Sequence, residues 1–342
     1  MEAKQIQQRI HIISYRLRQW KNHLLPPVMS AMLIVYPYTT SSAETISKGL
    51  FWISSLICIS IYGYWVNDWA DRQSDVLARK PNFLAGLPNW ILISGALLFS
   101  LLAIILWLSG LPHWFTTSLF ILEWVLFTLY CIPIIRLKNR PIWGPLCDAH
   151  YTHIVPVFFT LFYFQPAQYH HIWIIIYLLL LCKGLRNILL HQIEDRKADT
   201  IAGIKSFPIT MGPITTLRII NRILLPLELA LLLILSAYLM PYSYVPLISL
   251  WLYIAIYGIY ISIWTIRYMK KNQLNKHLVY ITNDIYEYWL PYIIIISLHI
   301  DWKLKIALCI IHGLIFNKGV ASMIKTLRVV LKTIFPNQNT SI

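Results

Sequence analysis

Two short acidic segments hold the residues with the clearest chemical potential in this chain. The first reads Asn67-Asp68-Trp69-Ala70-Asp71-Arg72-Gln73-Ser74-Asp75, the second His191-Gln192-Ile193-Glu194-Asp195-Arg196-Lys197-Ala198-Asp199. Asn67, Asp71 and Asp75 recur at i, i+4 and i+8, and His191, Asp195 and Asp199 repeat that spacing. On a helix each trio lines one face, with Asp68 beside the first. Like charges stacked on one stripe repel, so something cationic has to neutralise them. Oxygen ligands on two facing helices suit Mg2+, a hard cation that commonly bridges to phosphate oxygens. Basic residues stand nearby: Arg79 and Lys80 after the first segment, Lys205 after the second, and Arg136 and Lys138 in the stretch Tyr130-Cys131-Ile132-Pro133-Ile134-Ile135-Arg136-Leu137-Lys138. Two cation-holding clusters ringed by lysine and arginine make a clamp for a diphosphate, whose departure needs this kind of charge stabilisation. The plainer alternative is solvated loop charge. Matched spacing in both segments argues against it, whereas Arg140 and Lys197 are adequately explained by membrane topology.

A third polar cluster, Asp148, His150, Tyr151, Thr152 and His153, interrupts an apolar run. It reads either as an acceptor site in which Asp148 or His150 takes a proton, or as a buried polar network joining helices. Glu123 and Glu228 also fall in apolar runs, where a carboxylate needs a partner on a neighbouring helix.

The elements that must position these groups are membrane spans. Only 13% of the 342 residues are charged, against about 25% in soluble domains, and the mean hydropathy is +0.60. An ordinary soluble enzyme and a disordered chain are both excluded. Candidate spans are 24–42, 49–66, 90–110, 114–135, 143–164, 170–190, 213–240 and 245–266, with two shorter runs at 286–300 and 304–317. Lysine and arginine concentrate in the N-terminal segment 1–23 and in the loops after the second, fourth, sixth and eighth spans, which places these and both acidic segments in the cytoplasm. The basic tail 318–342 prefers the same side, either after a final hairpin of the two short runs or lying on the surface after nine spans. The net charge of +15 is spread in short clusters between spans, so it points to topology and not to nucleic acid. No CxxC pair is present, which argues against a disulfide framework or an iron–sulfur site, and no signal peptide is visible. The whole of 1–342 reads as one membrane domain, with two helical halves suggested only by the two acidic segments.

The segment NDWADRQSD, followed by EDRKADTIAGIKSFPITMG, resembles the UbiA superfamily of intramembrane prenyltransferases. That family carries an NDxxDxxxD segment after its second helix and a DxxxD segment after its sixth. The latter is typically followed by a glycine–lysine–proline stretch, matched here by Gly203, Lys205, Ser206, Pro208 and Gly212. Tyr130, Pro133, Arg136 and Lys138 are similar to its loop between helices four and five, and Arg18, Trp20 and Asn22 to its entry segment. The resemblance implies an all-α bundle of about nine transmembrane helices, with room for a short tenth, around a central cavity under a cytoplasmic cap. It implies Mg2+ held by Asn67, Asp68, Asp71, Asp75, Asp195 and Asp199, and an isoprenyl diphosphate donor bound by Arg79, Lys80, Tyr130, Arg136, Lys138 and Lys205. Asp71, Asp195 and Lys138 would be catalytic, and Asn22, Asp148, His150 and His191 would line the pocket of a hydrophobic or aromatic acceptor. His191 and Gln192 depart from the acidic pattern of the second motif, and Ala78-Arg79-Lys80-Pro81-Asn82 from the basic stretch of many aromatic prenyltransferases. The first departure implies weaker metal binding at the second segment or a contribution from Glu194, the second leaves the acceptor class open, and a cyclase-like or sugar- or glycerol-phosphate enzyme of the same fold stands as the alternative. A transporter, whose site belongs near the bilayer midplane, fits less well with carboxylates at one membrane face.

Overall fold

Residues 7, 14, 21, 24–35, 42–164, 170–239, 244–269, 283–298 and 300–334 are described by the structure, a computed structural model. Among them every regular element is helical: α1 (Leu25–Val35), α2 (Ser42–Leu77), α3 (Asn89–Ser109), α4 (Trp114–Cys131), α5 (Trp143–Ala149), α6 (Val155–Phe164), α7 (His170–Ile201), α8 (Phe207–Met211), α9 (Pro213–Ile219), α10 (Leu225–Leu239), α11 (Val245–Met269), α12 (Leu290–Ser297), α13 (Trp302–Ile315) and α14 (Asn317–Ile334). The helices follow the apolar runs. Five stretches among the described residues are long and apolar enough to cross a bilayer: Ser47–Leu77, Asn89–Ser109, Trp114–Cys131, Ile172–Ile201 and Pro213–Tyr238. A sixth is reached if Trp302–Ile315 and Gly319–Lys325, bent by 94°, count together.

Two helices outrun their apolar cores. With 36 and 32 residues, α2 and α7 are each roughly 50 Å long, against about 30 Å of bilayer hydrocarbon. The acidic segments are their last helical turns, so both predicted stripes stay helical. Both helices also stop in the same way. In α2 the Lys80 N–H donates to the Asp75 carbonyl (2.8 Å) and the Arg79 N–H to that of Val76 (3.2 Å). In α7 the Ile204 N–H donates to Asp199 (2.9 Å) and the Gly203 N–H to Thr200 (3.2 Å). Each is a Schellman closure whose left-handed residue sits four positions after the last aspartate: Gly203 at φ 70°, and Arg79 at φ 52°. Glycine adopts that conformation freely; a residue with a Cβ does so at a cost of about 1–2 kcal/mol. The matching periods therefore extend beyond the carboxylates into the backbone.

Among the described residues three helical runs are interrupted by single π-turns: His150–Ile154 before α6, Ile220–Leu224 before α10 and Ile285–Trp289 before α12. Each precedes a proline by two residues, Pro156, Pro226 and Pro291. Proline offers no N–H to the carbonyl four residues back and its ring crowds it, so the helix widens there. The run 143–164 is thus one helix broken at the polar cluster.

The chain divides into two compact units, Met1–Arg18 with Tyr38–Leu231, and Gln19–Pro37 with Leu232–Ile342. In the first, α2 runs antiparallel to α3: the Trp65 indole N–H donates to the Leu92 carbonyl and the Ser55 hydroxyl to that of Ala103, both at 2.8 Å. It runs parallel to α4, with Tyr62 against Thr128 and Asn67 against Cys131. Away from the acidic ends, Trp107 stacks on Phe120 (centroids 4.9 Å) and meets Phe159 edge-on (5.6 Å), which also meets Trp52 (5.6 Å). One aromatic cluster so joins α2, α3, α4 and α6. Against α5, α7 approaches closely at Gly184, where a Cβ would lie 2.7 Å from that of Ala149. In the second unit, α1 and α11 pack against α12, and α14 carries Lys318, Lys325, Arg328 and Lys332 with no acidic residue.

The sequence expectation that Glu228 needs a partner is met. Arg186 of α7 donates to both its carboxylate oxygens, at 2.7 and 2.9 Å, with the side chains 0% and 1% exposed. Removing one member of such a pair strands a buried charge, at a cost of about 3–5 kcal/mol. Arg186→Met is therefore expected to lower the thermal midpoint of the detergent-solubilised protein more than Arg186→Met combined with Glu228→Leu, measured by tryptophan fluorescence. A double variant at least as unstable as the single one would show that the pair's charge is not what matters.

Candidate functional site

The carboxylate of Asp71, nearly buried, takes two cations. Arg136 Nη2 reaches Oδ1 at 3.0 Å and Lys138 Nζ reaches Oδ2. Both come from the chain just past α4. There Arg136 adopts a left-handed backbone (φ 42°) and Leu137–Asn139 form a tight 3-10 turn, folding two cations back onto one carboxylate. Asn67 Oδ1 accepts from the Cys131 thiol at 3.6 Å.

The loop after α2 folds back over the first segment. Asn82 Nδ2 donates to Asp75 Oδ2 (2.7 Å) and to the Asp68 carbonyl (2.8 Å), and the Phe83 N–H donates to Asp68 Oδ2 (3.3 Å). Arg72 fastens the far end of the loop through the Leu87 carbonyl and Asn89. Asn82 was not among the residues the sequence singled out. Asp68, expected among the metal ligands beside that face, spends a carboxylate oxygen on this loop.

The same loop supplies Lys80, whose ammonium lies 2.7 Å from Asp195 Oδ2 and 3.6 Å from Asp199 Oδ1. Partial burial works to lower the Lys80 pKa, but its pairing with Asp195, and the charges of Asp199 and Asp75, outweigh this and hold it above the ordinary lysine value. Through Lys80 the two segments meet: its backbone N–H rests on Asp75 and its side chain on Asp195. His191 is mostly exposed, 3.9 Å from Asp195. Gln192 is buried and accepts from the Phe207 N–H at 3.3 Å, tying the following loop to α7. Arg79 and Lys205 are exposed and stand outside these ion pairs.

The third cluster divides in two. The Tyr151 hydroxyl donates to Asp148 Oδ2, and its ring meets Phe127 (4.4 Å) and Tyr130 (5.3 Å). His150 belongs to a helix-joining network instead, its ring nitrogens 2.7 Å from the Leu146 carbonyl and 3.1 Å from the Tyr177 hydroxyl. Asn22 lies outside the described residues.

As a donor set for a metal, Asn67, Asp71, Asp75, Asp195 and Asp199 offer only hard oxygens, which fits Mg2+ and not a soft ion. Among the described residues no three acidic, histidine or cysteine side chains already surround a common point; Arg136, Lys138, Lys80 and Asn82 engage the carboxylates instead.

A family model described as the UbiA prenyltransferase family matches residues 24–283. No curated protein matches the chain. Among solved structures, a UbiA homolog from Archaeoglobus fulgidus bound to DMAPP and Mg2+ is 16% identical, with a TM-score of 0.53 over 92% of this chain and 97% of that one. The homolog bound to GPP and Mg2+ gives 16% and 0.50, and bound to Cd2+ 15% and 0.52, with the same coverage. At such identities the likeness establishes a shared helical fold.

Asn82 fills two acceptors at once, so its loss leaves a buried carbonyl and a carboxylate short of a donor, about 1–3 kcal/mol. Asn82→Ala is expected to raise hydrogen exchange across residues 78–88 while leaving α3 and α4 protected. Unchanged exchange in that loop would contradict the assigned role.

Proposed function

The chain belongs to the UbiA prenyltransferase family, and from that premise we propose that it is a Mg2+-dependent intramembrane enzyme that moves an isoprenyl group from its diphosphate to a small hydrophobic acceptor, aromatic or lipid-like. The observation that carries the reading is the meeting of two acidic helix ends at Lys80, whose backbone N–H rests on Asp75 and whose ammonium rests on Asp195. The Archaeoglobus homolog is solved with DMAPP or GPP together with Mg2+, and the all-oxygen set of Asn67, Asp71, Asp75, Asp195 and Asp199 would hold the ion here. Bound there, Mg2+ supplies positive charge against the diphosphate as it leaves.

The chain's own residues do the remainder. Lys138, Arg136 and Lys80 bind diphosphate oxygens, with the exposed Arg79 and Lys205 drawing the donor in. The C1–O bond breaks with its electron pair going to the diphosphate, and an electron pair of the acceptor forms the new bond to C1. The rings of Tyr130, Tyr151 and Phe127 face the electron-poor allyl group and exclude water, which would otherwise capture it. The acceptor lies towards Asp148 and His191, and Asp148 takes the proton the acceptor gives up. His150, held between Leu146 and Tyr177, joins α5 to α7. The lysine and arginine distribution sets the N-terminus and both acidic segments on the cytoplasmic side.

The test is diphosphate release by purified protein in nanodiscs, given labelled geranyl, farnesyl and geranylgeranyl diphosphates with Mg2+ and panels of aromatic, sugar-phosphate and glycerol-phosphate acceptors. Release should require Mg2+ and fall about 100-fold or more in Asp71→Ala and in Asp195→Ala; the stimulating acceptor identifies the class. Release without any acceptor, giving a cyclic product, would move the reading to an internal acceptor. Folded protein that neither binds nor cleaves any donor would overturn it.

A further inference from the structure

We propose that Lys80 is a tethered competitor of the divalent cation: its ammonium holds Asp195 and Asp199 until a diphosphate draws it away, so that the second acidic segment takes up metal together with the donor and poorly without it. The inference rests on the transferase reading and concerns how that site loads.

The geometry is asymmetric between the two segments. Asp71 and Lys138 form an enclosed pair, their side chains 8% and 10% exposed, whereas Asp195 and Lys80 are 36% and 31% exposed. The second pair is the one an incoming ion can reach. The Lys80 backbone is pinned, by its N–H on Asp75, by the left-handed closure at Arg79 and by Asn82 two residues on. What can move is its four-carbon arm, pivoting where the two segments meet. At 2.7 and 3.6 Å the ammonium uses the carboxylate oxygens a divalent ion would take. Two cations cannot share those oxygens without strong repulsion. A diphosphate changes the balance because it offers the ammonium fresh anionic oxygens within reach of the same pivot. Lys80 then serves twice, as counter-ion of the second segment before loading and as diphosphate ligand after it.

Opposite effects on two affinities test this in the full-length protein in nanodiscs. The first probe is Mn2+ alone, with free ion counted by its electron paramagnetic resonance signal. Lys80→Met should bind Mn2+ about fivefold more tightly than the unsubstituted protein, and Lys80→Arg, which keeps the charge, should stay within about twofold of it. The second probe is a labelled, non-cleavable thiolo analogue of geranyl diphosphate at saturating Mg2+, which Lys80→Met should bind about fivefold or more weakly. Lys80→Gln replaces Lys80→Met if the latter does not fold. Mn2+ affinity unchanged or weakened on removing the charge overturns the proposal, as does unweakened analogue binding. Failure of the transferase reading looks different: no protein binds the analogue, while the Mn2+ ranking persists.

Discussion

Repulsion between carboxylates at two facing helix ends is the constraint on which the rest of this structure depends. Two unit charges 4 Å apart interact by about 4 kcal/mol at an effective dielectric of 20, so acidic stripes cannot meet without cations among them. The chain supplies these from both flanking loops. Arg136 and Lys138 converge on Asp71 from beyond α4, and Lys80 spans from the end of α2 to Asp195 and Asp199. Two of the three left-handed non-glycine residues among those described are Arg79 and Arg136, one in each of these loops. Backbone cost is thus accepted where it aims charge.

The apolar body makes the opposite demand. Within the spans polar groups have to be satisfied inside the protein, as the Arg186–Glu228 pair and the His150 network are. Aromatic packing of Trp52, Trp107, Phe120 and Phe159 ties four helices together away from the acidic ends. A rigid apolar frame with its charge gathered at one end suits chemistry in which a lipid-soluble chain carries a charged leaving group.

Much of this was legible in the sequence. The i, i+4, i+8 repeats marked two stripes that do lie on helices, because helical period alone fixes which residues share a face. The apolar runs located the helices, although their number as full spans was read more finely than five or six stretches among the described residues support. Other features were not legible. The closure shared by α2 and α7 is hidden because arginine stands where glycine would have announced it. Asn82 looks like any loop asparagine until the chain folds back to bring it over Asp68 and Asp75. Asp148 and His150 are two residues apart yet belong to different networks, because two positions along a helix point to nearly opposite faces.

The central claim is that both acidic segments act on one donor. A double-mutant cycle on binding of the non-cleavable geranyl diphosphate analogue, at saturating Mg2+, tests it most directly. Asp71→Asn, Asp195→Asn and the double variant would be compared by calorimetry with the unsubstituted protein. The account predicts strong non-additivity, the double variant losing little more than either single one, since each change alone breaks the shared site. Additive losses, or full affinity in either single variant, would mean that the segments work independently and would contradict the account.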